Sequence, residues 1–162
     1  SLQWLHYSLL QQGLIDEAGS IFAIQQKDMA EGIQTQSNLR AGKYYYRMLA
    51  ASFIETENWE FIEKFSPPDG WKPKSFSEAG YHFARGFSAA MQGKIEEANK
   101  HFLELKAIRK QNFKKNYYKR IEYLKIWELE IQTAIKLYQK DFEAAIKLVK
   151  QAIILEEKLP SP

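Results

Sequence analysis

Between Tyr81 and Leu105 the chain runs YHFARGFSAAMQGKIEEANKHFLEL, two apolar stripes set back to back across Gly93-Lys94. On the first side Phe83, Phe87 and Ala90 recur at steps of four and three. On the second, Ile95, Ala98, Phe102 and Leu105 recur at steps of three, four and three. Such steps return a side chain to the same face of an α-helix. A glycine between the stripes ends one helix and lets the chain reverse. The stretch therefore predicts a helical hairpin, with Gly86 and Ala98 as the small residues that let its backbones approach and Phe102 in the core. One hairpin cannot bury its apolar faces alone, so the rest of the chain has to supply neighbours.

The rest is built in the same way. Leu2, Leu5, Leu9 and Leu10 form a stripe that Gly13 breaks, and Ala18, Ile21, Phe22 and Met29 resume it beyond Asp16. After a polar stretch with Gly32 and Gly42, Tyr46, Leu49, Ala50 and Phe53 give a third helix. Asn58 suits the N-cap of a short fourth helix carrying Trp59, Ile62 and Phe65. Ser66 to Pro73 holds three prolines and Gly70, which no helix interior tolerates. Ser75 and Glu78 have capping-box spacing and start the next helix. Gln111 to Asn116 reads as a break; a long helix follows from about Tyr117 to Gln139. Asp141 caps the last helix, which ends near Leu159 before Pro160 and Pro162. The expectation is a single all-α domain over 1–162. It has eight helices in about four hairpins (units 1–33, 38–66, 75–110 and 116–159), with a loop at 66–74 and no strand.

Gly13, Glu57, Gly93 and Lys140 mark four equivalent hinges, 44, 36 and 47 residues apart. With the hinges in register, His6, Ala50 and Gly86 stand twelve residues before Ala18, Ile62 and Ala98. Phe22, Ser66 and Phe102 follow four residues on. The last unit fits with a turn shorter by one, pairing Ala134 with Ala145, followed by Val149 and Ala152. Tyr46, Leu49, Ala50 and Phe53 match the W-x2-L-G-x2-Y helix of a tetratricopeptide repeat. The chain thus resembles the tetratricopeptide repeat family over nearly its whole length, with degenerate repeats. The phrases HFARGFSAAMQGKIEEA and AIILEEKLPSP look like the C-terminal portion of long, mostly uncharacterised bacterial proteins of that class. The resemblance implies a right-handed α-α superhelix, a solenoid that binds proteins or peptides.

Composition fits a packed domain. Of 162 residues 45% are hydrophobic and 14% aromatic, which argues against disorder. There is no cysteine, so disulfides and thiolate chemistry are excluded and the compartment stays open. No uncharged apolar run reaches the ~18–20 residues of a membrane span. The chain starts at SLQW, already inside a periodic pattern, and reads as a piece of a longer protein whose leader would have gone unseen.

Nothing in the sequence has the spacing of an active site, a metal site or a cofactor site. His6, His82 and His101 are far apart and form neither H-x3-H nor HExxH. Ser8, Ser20, Ser52 and Ser88 have no nucleophile-elbow frame and no partnered base in the sequence. Glu96/Glu97 and Glu156/Glu157 are adjacent and point in different directions. The expected role is therefore non-catalytic.

Stacked hairpins build a concave face from the first helix of each unit. Its lining is expected to include Gln3, Tyr7 and Leu10; Tyr44, Arg47 and Ala51; Phe83, Phe87 and Ala90; Trp127, Glu130 and Ala134. The residues expected to touch a partner are Tyr7, Tyr44, Arg47, Phe83, Phe87 and Trp127. That apolar, aromatic groove suits an extended or helical apolar segment. Some members of the family clamp a C-terminal carboxylate with Lys and Asn, whereas this chain offers Arg47 alone.

Lys106 to Lys125 holds eight basic residues against the single acid Glu122, net +7 where the whole chain carries +3. Phe113, Tyr117, Tyr118 and Tyr123 are interleaved. Lys110, Lys114, Lys115, Tyr118, Lys119 and Arg120 could hold a nucleic-acid backbone and stack bases. The alternative is a charged turn between long helices, its tyrosines inward and lysine stems over apolar surface. The overall pI of 8.9 favours the turn. Two further alternatives stay open: the chain as accessory arm of a larger enzyme, and two copies pairing through the apolar ends of the solenoid.

Overall fold

The backbone turns left-handed at the four hinges. In the computed structural model, which describes residues 2–34, 39–64, 76–114 and 118–159, positive φ occurs at Gly13 (74°), Glu57 (52°), Gly93 (77°) and Lys140 (60°). Three of them share one hydrogen-bonding pattern. Gly13 N–H donates to Leu10 O and Leu14 N–H to Leu9 O; Gly93 and Lys94 do the same to Ala90 and Ala89; Lys140 and Asp141 to Leu137 and Lys136. This is the double bond of a Schellman turn, which satisfies carbonyls that a helix end would leave bare. Glycine takes the left-handed conformation without cost, whereas a Cβ there adds about 1 kcal/mol. Gly93→Ala is thus expected to lower stability by about 1–2 kcal/mol, and Lys140→Gly to raise it by up to about 1 kcal/mol, in urea unfolding. The Tyr138 ring overlies Gly93 but is 55% exposed and can swing away.

The described residues hold seven α-helices and no strand: α1 (Leu2–Gln11), α2 (Ile15–Gln34), α3 (Leu39–Thr56), α4 (Phe76–Met91), α5 (Ile95–Lys114), α6 (Tyr118–Tyr138) and α7 (Phe142–Glu156). The short fourth helix expected after Asn58 is instead a 3-10 segment, Trp59–Lys64. Six residues give too few α-type bonds to offset nucleation, so the tighter turn serves as a connector. Of the break expected from Gln111 to Asn116, residues 111–114 are instead the end of α5, and Lys115 and Asn116 lie outside the described residues. Asp141 caps α7 by accepting from Ala144 N–H at 3.2 Å. The loop at 66–74 and Ser75 of the capping box lie outside the described residues.

Two compact units divide the chain, Ser1–Gly80 and Tyr81–Pro162. In the first, α1 packs on α2 and α3, α2 on α3, and α3 on the 3-10 segment. Its core is aromatic: Phe22 stacks on Tyr45 at 5.2 Å, Tyr45 meets Tyr46 edge-on at 5.0 Å, and Phe53 meets Trp59 edge-on at 6.0 Å. Met48, Leu49 and Ile62 are buried in the same unit.

In the second unit α5 packs on α6, and α6 on α7. A Cβ on Gly86 would sit 2.7 Å from Ile131 Cδ1 and 3.0 Å from His101 Cβ, so the bare backbone of α4 is what admits both α5 and α6. The residues five places past each hinge, Ala18, Ile62, Ala98 and Ala145, are all buried. Two places in the register differ from expectation. Phe102 is only half-buried, with the Lys106 ammonium 5.9 Å from its ring centroid. Val149 points outward, and the inward face of α7 is Ala145, Leu148, Ala152 and Leu155.

Candidate functional site

In the first unit, a cleft of about 220 Å³ lies between α1 and α3, lined by Gln3, Trp4, His6, Tyr7, Arg47, Met48 and Ala51. Helical spacing explains the set. Gln3 and Tyr7 are one turn apart on α1, as are Arg47 and Ala51 on α3. Trp4 and Tyr7 are 57% and 42% exposed, so their rings form a wall that is apolar and open to solvent. Arg47, half-buried, supplies the cation.

The cleft floor is tied together by a bond that connects residues 46 apart. His6 Nε2 lies 3.0 Å from Ser52 Oγ, and Ser52 Oγ donates to Met48 O at 2.9 Å. The hydroxyl has one proton and Met48 holds it, so the imidazole must donate from Nε2. That is the reverse of a nucleophile–base pair, in which the serine donates to histidine. Burial keeps the His6 pKa below its usual value, so the ring is neutral near pH 7 and Arg47 dominates the local field. The pairing gives Ser52 a histidine partner that spacing did not reveal, in a structural role that joins α1 to α3.

The six expected partner-binding residues fall into two sets. Tyr7 and Arg47 line the cleft; Tyr44, on α3, is exposed but outside the lining. In the second unit Phe83 stacks on Trp127 at 5.1 Å with 16° between the planes, and Phe87 lies 5.8 Å from Phe83. Phe83 is buried, so its ring joins helices rather than meeting solvent; Phe87 and Trp127 are half-buried.

A second titratable group lies between α4 and α5. His82 Nδ1 and His101 Nδ1 are 2.8 Å apart, so one nitrogen carries the proton and the other accepts it. Tyr81 meets both rings edge-on. Burial, then the His82 charge, pushes His101 down to about 4, and burial lowers His82 as well. The pair is neutral near pH 7. Glu97 is 3.9 Å from His101 Nε2, too far for a hydrogen bond. Among the described residues no group of three or more His, Asp or Glu could hold a metal ion.

The basic segment is less basic at its surface than its composition. Arg109 forms a two-pronged pair with Glu128, Nε to Oε1 at 2.6 Å and Nη2 to Oε2 at 3.2 Å. Lys110 is exposed. Lys115, and the side chains of Lys114, Tyr118, Lys119 and Arg120, lie outside the described residues. Among the described residues no helix is long and apolar enough to cross a membrane. No protein-family model, curated protein or solved structure matches the chain.

Proposed function

We propose that this chain is a non-catalytic scaffold, a tetratricopeptide-like superhelix of helical hairpins, whose cleft between α1 and α3 takes a short segment of a protein or peptide. The carrying observation is the lining itself: Trp4, Tyr7 and Ala51 offer apolar surface around the single cation Arg47, over the buried Met48. A volume of about 220 Å³ is below the ~300–1,000 Å³ of most small-molecule and cofactor sites. It suits one or two side chains of a longer ligand. A neutral His6 leaves Arg47 to select the charge, so the favoured segment sets a carboxylate beside an aliphatic or aromatic residue. The superhelical arrangement is supported by the recurring left-handed hinges and the small residues in register behind them.

A peptide array probed with the labelled chain should give hits enriched in an acidic residue next to an apolar one. Arg47→Glu should weaken such peptides at least ~10-fold, since a hydrogen bond to a charged group contributes ~1.5–3 kcal/mol. Tyr7→Ala should weaken them too, with the circular dichroism of both variants unchanged. Hits that survive both substitutions undiminished would place the binding elsewhere.

A further inference from the structure

The last helix carries two apolar stripes, and its own unit covers one. Ala145 and Ala152 are buried, and Leu148, Leu155 and Leu159 pack with Ala152 against Ile126 and Leu129 of α6. The other stripe, Phe142, Ile146, Val149 and Ile153, is exposed at 59, 53, 39 and 47%. Four bulky apolar side chains in line along ~17 Å of helix differ from the scattered ones a monomer surface normally shows. We propose that this stripe joins two copies of the chain, α7 of one lying antiparallel against α7 of the other.

Spacing selects a second copy. Steps of four, three and four read the same in both directions. Under a two-fold axis Phe142 meets the partner's Ile153, and Ile146 meets the partner's Val149. Such steps let the knobs of one helix fill the holes of another, and self-complementarity of one patch is what a two-fold dimer requires. Charge selects the orientation. Glu143 and Lys150 are both exposed and flank the stripe on one side, two turns apart. Antiparallel packing sets each Glu143 beside the partner's Lys150, which gives two symmetric ion pairs. A parallel pair would set Lys150 against the partner's Ala145, with no charge to complement it. Size sets the strength. Four residues per copy cover less than the ~800 Å² per partner of a standard interface, so the dimer should dissociate in the micromolar range.

Sedimentation velocity of the 162-residue chain between about 1 and 200 µM should show a monomer–dimer equilibrium. Ile146→Lys, on the exposed stripe, should weaken it at least ~10-fold with an unchanged circular dichroism spectrum. Glu143→Lys and Lys150→Glu should each weaken it, and together restore it with the signs exchanged. The chain has no cysteine of its own, so orientation can be read by oxidation. A mixture of Phe142→Cys and Ile153→Cys should form the mixed disulfide, whereas neither variant alone should cross-link. Self-joining of Phe142→Cys would mean a parallel pair and overturn the proposal. So would a dimer indifferent to Ile146→Lys, or a monomer at every concentration, which would assign the stripe to a different protein's helix.

Discussion

Replacing Arg109 with alanine is expected to lower stability by about 3–5 kcal/mol, because it strands a buried carboxylate. Glu128 is 6% exposed and sits on α6, while Arg109 reaches it from α5 with both prongs of the guanidinium. Without the arginine, the carboxylate has lost its water and gained no cation. The reverse change should cost less. Arg109 is 27% exposed, so in Glu128→Leu its head can regain water, and a loss of about 1–2 kcal/mol is expected. Arg109→Met with Glu128→Leu should recover most of the larger loss, since apolar groups of similar volume can replace a buried pair. Urea unfolding of the three variants gives the comparison. A loss under about 1 kcal/mol for Arg109→Ala would mean that the pair is solvated and contributes little. The pair also bears on the basic segment: Arg109 serves the packing of α5 on α6, so that charge is not offered to a nucleic-acid backbone.

What was legible in the chain is what local spacing controls. Gly13 and Gly93 announce their turns because only glycine is free there. Glu57 and Lys140 were legible only through register, since neither residue favours positive φ. The small residues Gly86, Ala98 and Ala145 were legible because close helix approach admits little else. Four of the seven cleft residues, Gln3, Tyr7, Arg47 and Ala51, follow from helical steps on the inner face of α1 and α3. Trp4 and Met48 were not among the expected lining, because apolar spacing does not say which stripe a neighbour will cover. The same ambiguity misplaced Val149: α7 has two stripes, and only the position of α6 decides which is inward. Pairings between helices were not legible at all. His6–Ser52, His82–His101 and Arg109–Glu128 join residues 46, 19 and 19 apart, and each depends on how two helices are rotated about their axes.

Converting Glu130 to glutamine is expected to stabilise the second unit at neutral and alkaline pH and to leave it unchanged near pH 4. Burial, with the Glu156 carboxylate adding repulsion, pushes Glu130 from 4.5 up to about 7. Between those values the native chain keeps a proton that the unfolded chain releases, so stability falls as pH rises. The loss is absent below about 4.5 and complete above about 7. A shift of this size is worth on the order of 3 kcal/mol, which glutamine removes by staying neutral throughout. His101 acts with the opposite sign. Its value falls from 6.5 to about 4, so across that window the unfolded chain takes up a proton that the native one refuses, and stability rises with pH. The two slopes oppose each other between about 4.5 and 6.5, giving the natural chain a flattened profile there. Glu130→Gln leaves the histidine slope unopposed. Its stability should climb from pH 4 to 6.5 and then level off, where the natural chain declines toward pH 7. Glu156→Gln should recover the smaller part of the gain, because it removes the repulsion and leaves the burial. Thermal unfolding at half-unit steps from pH 4 to 8 separates these curves. Parallel profiles for Glu130→Gln and the natural chain would show that the carboxyl titrates alike in the folded and unfolded chain, with water reaching it between α6 and α7.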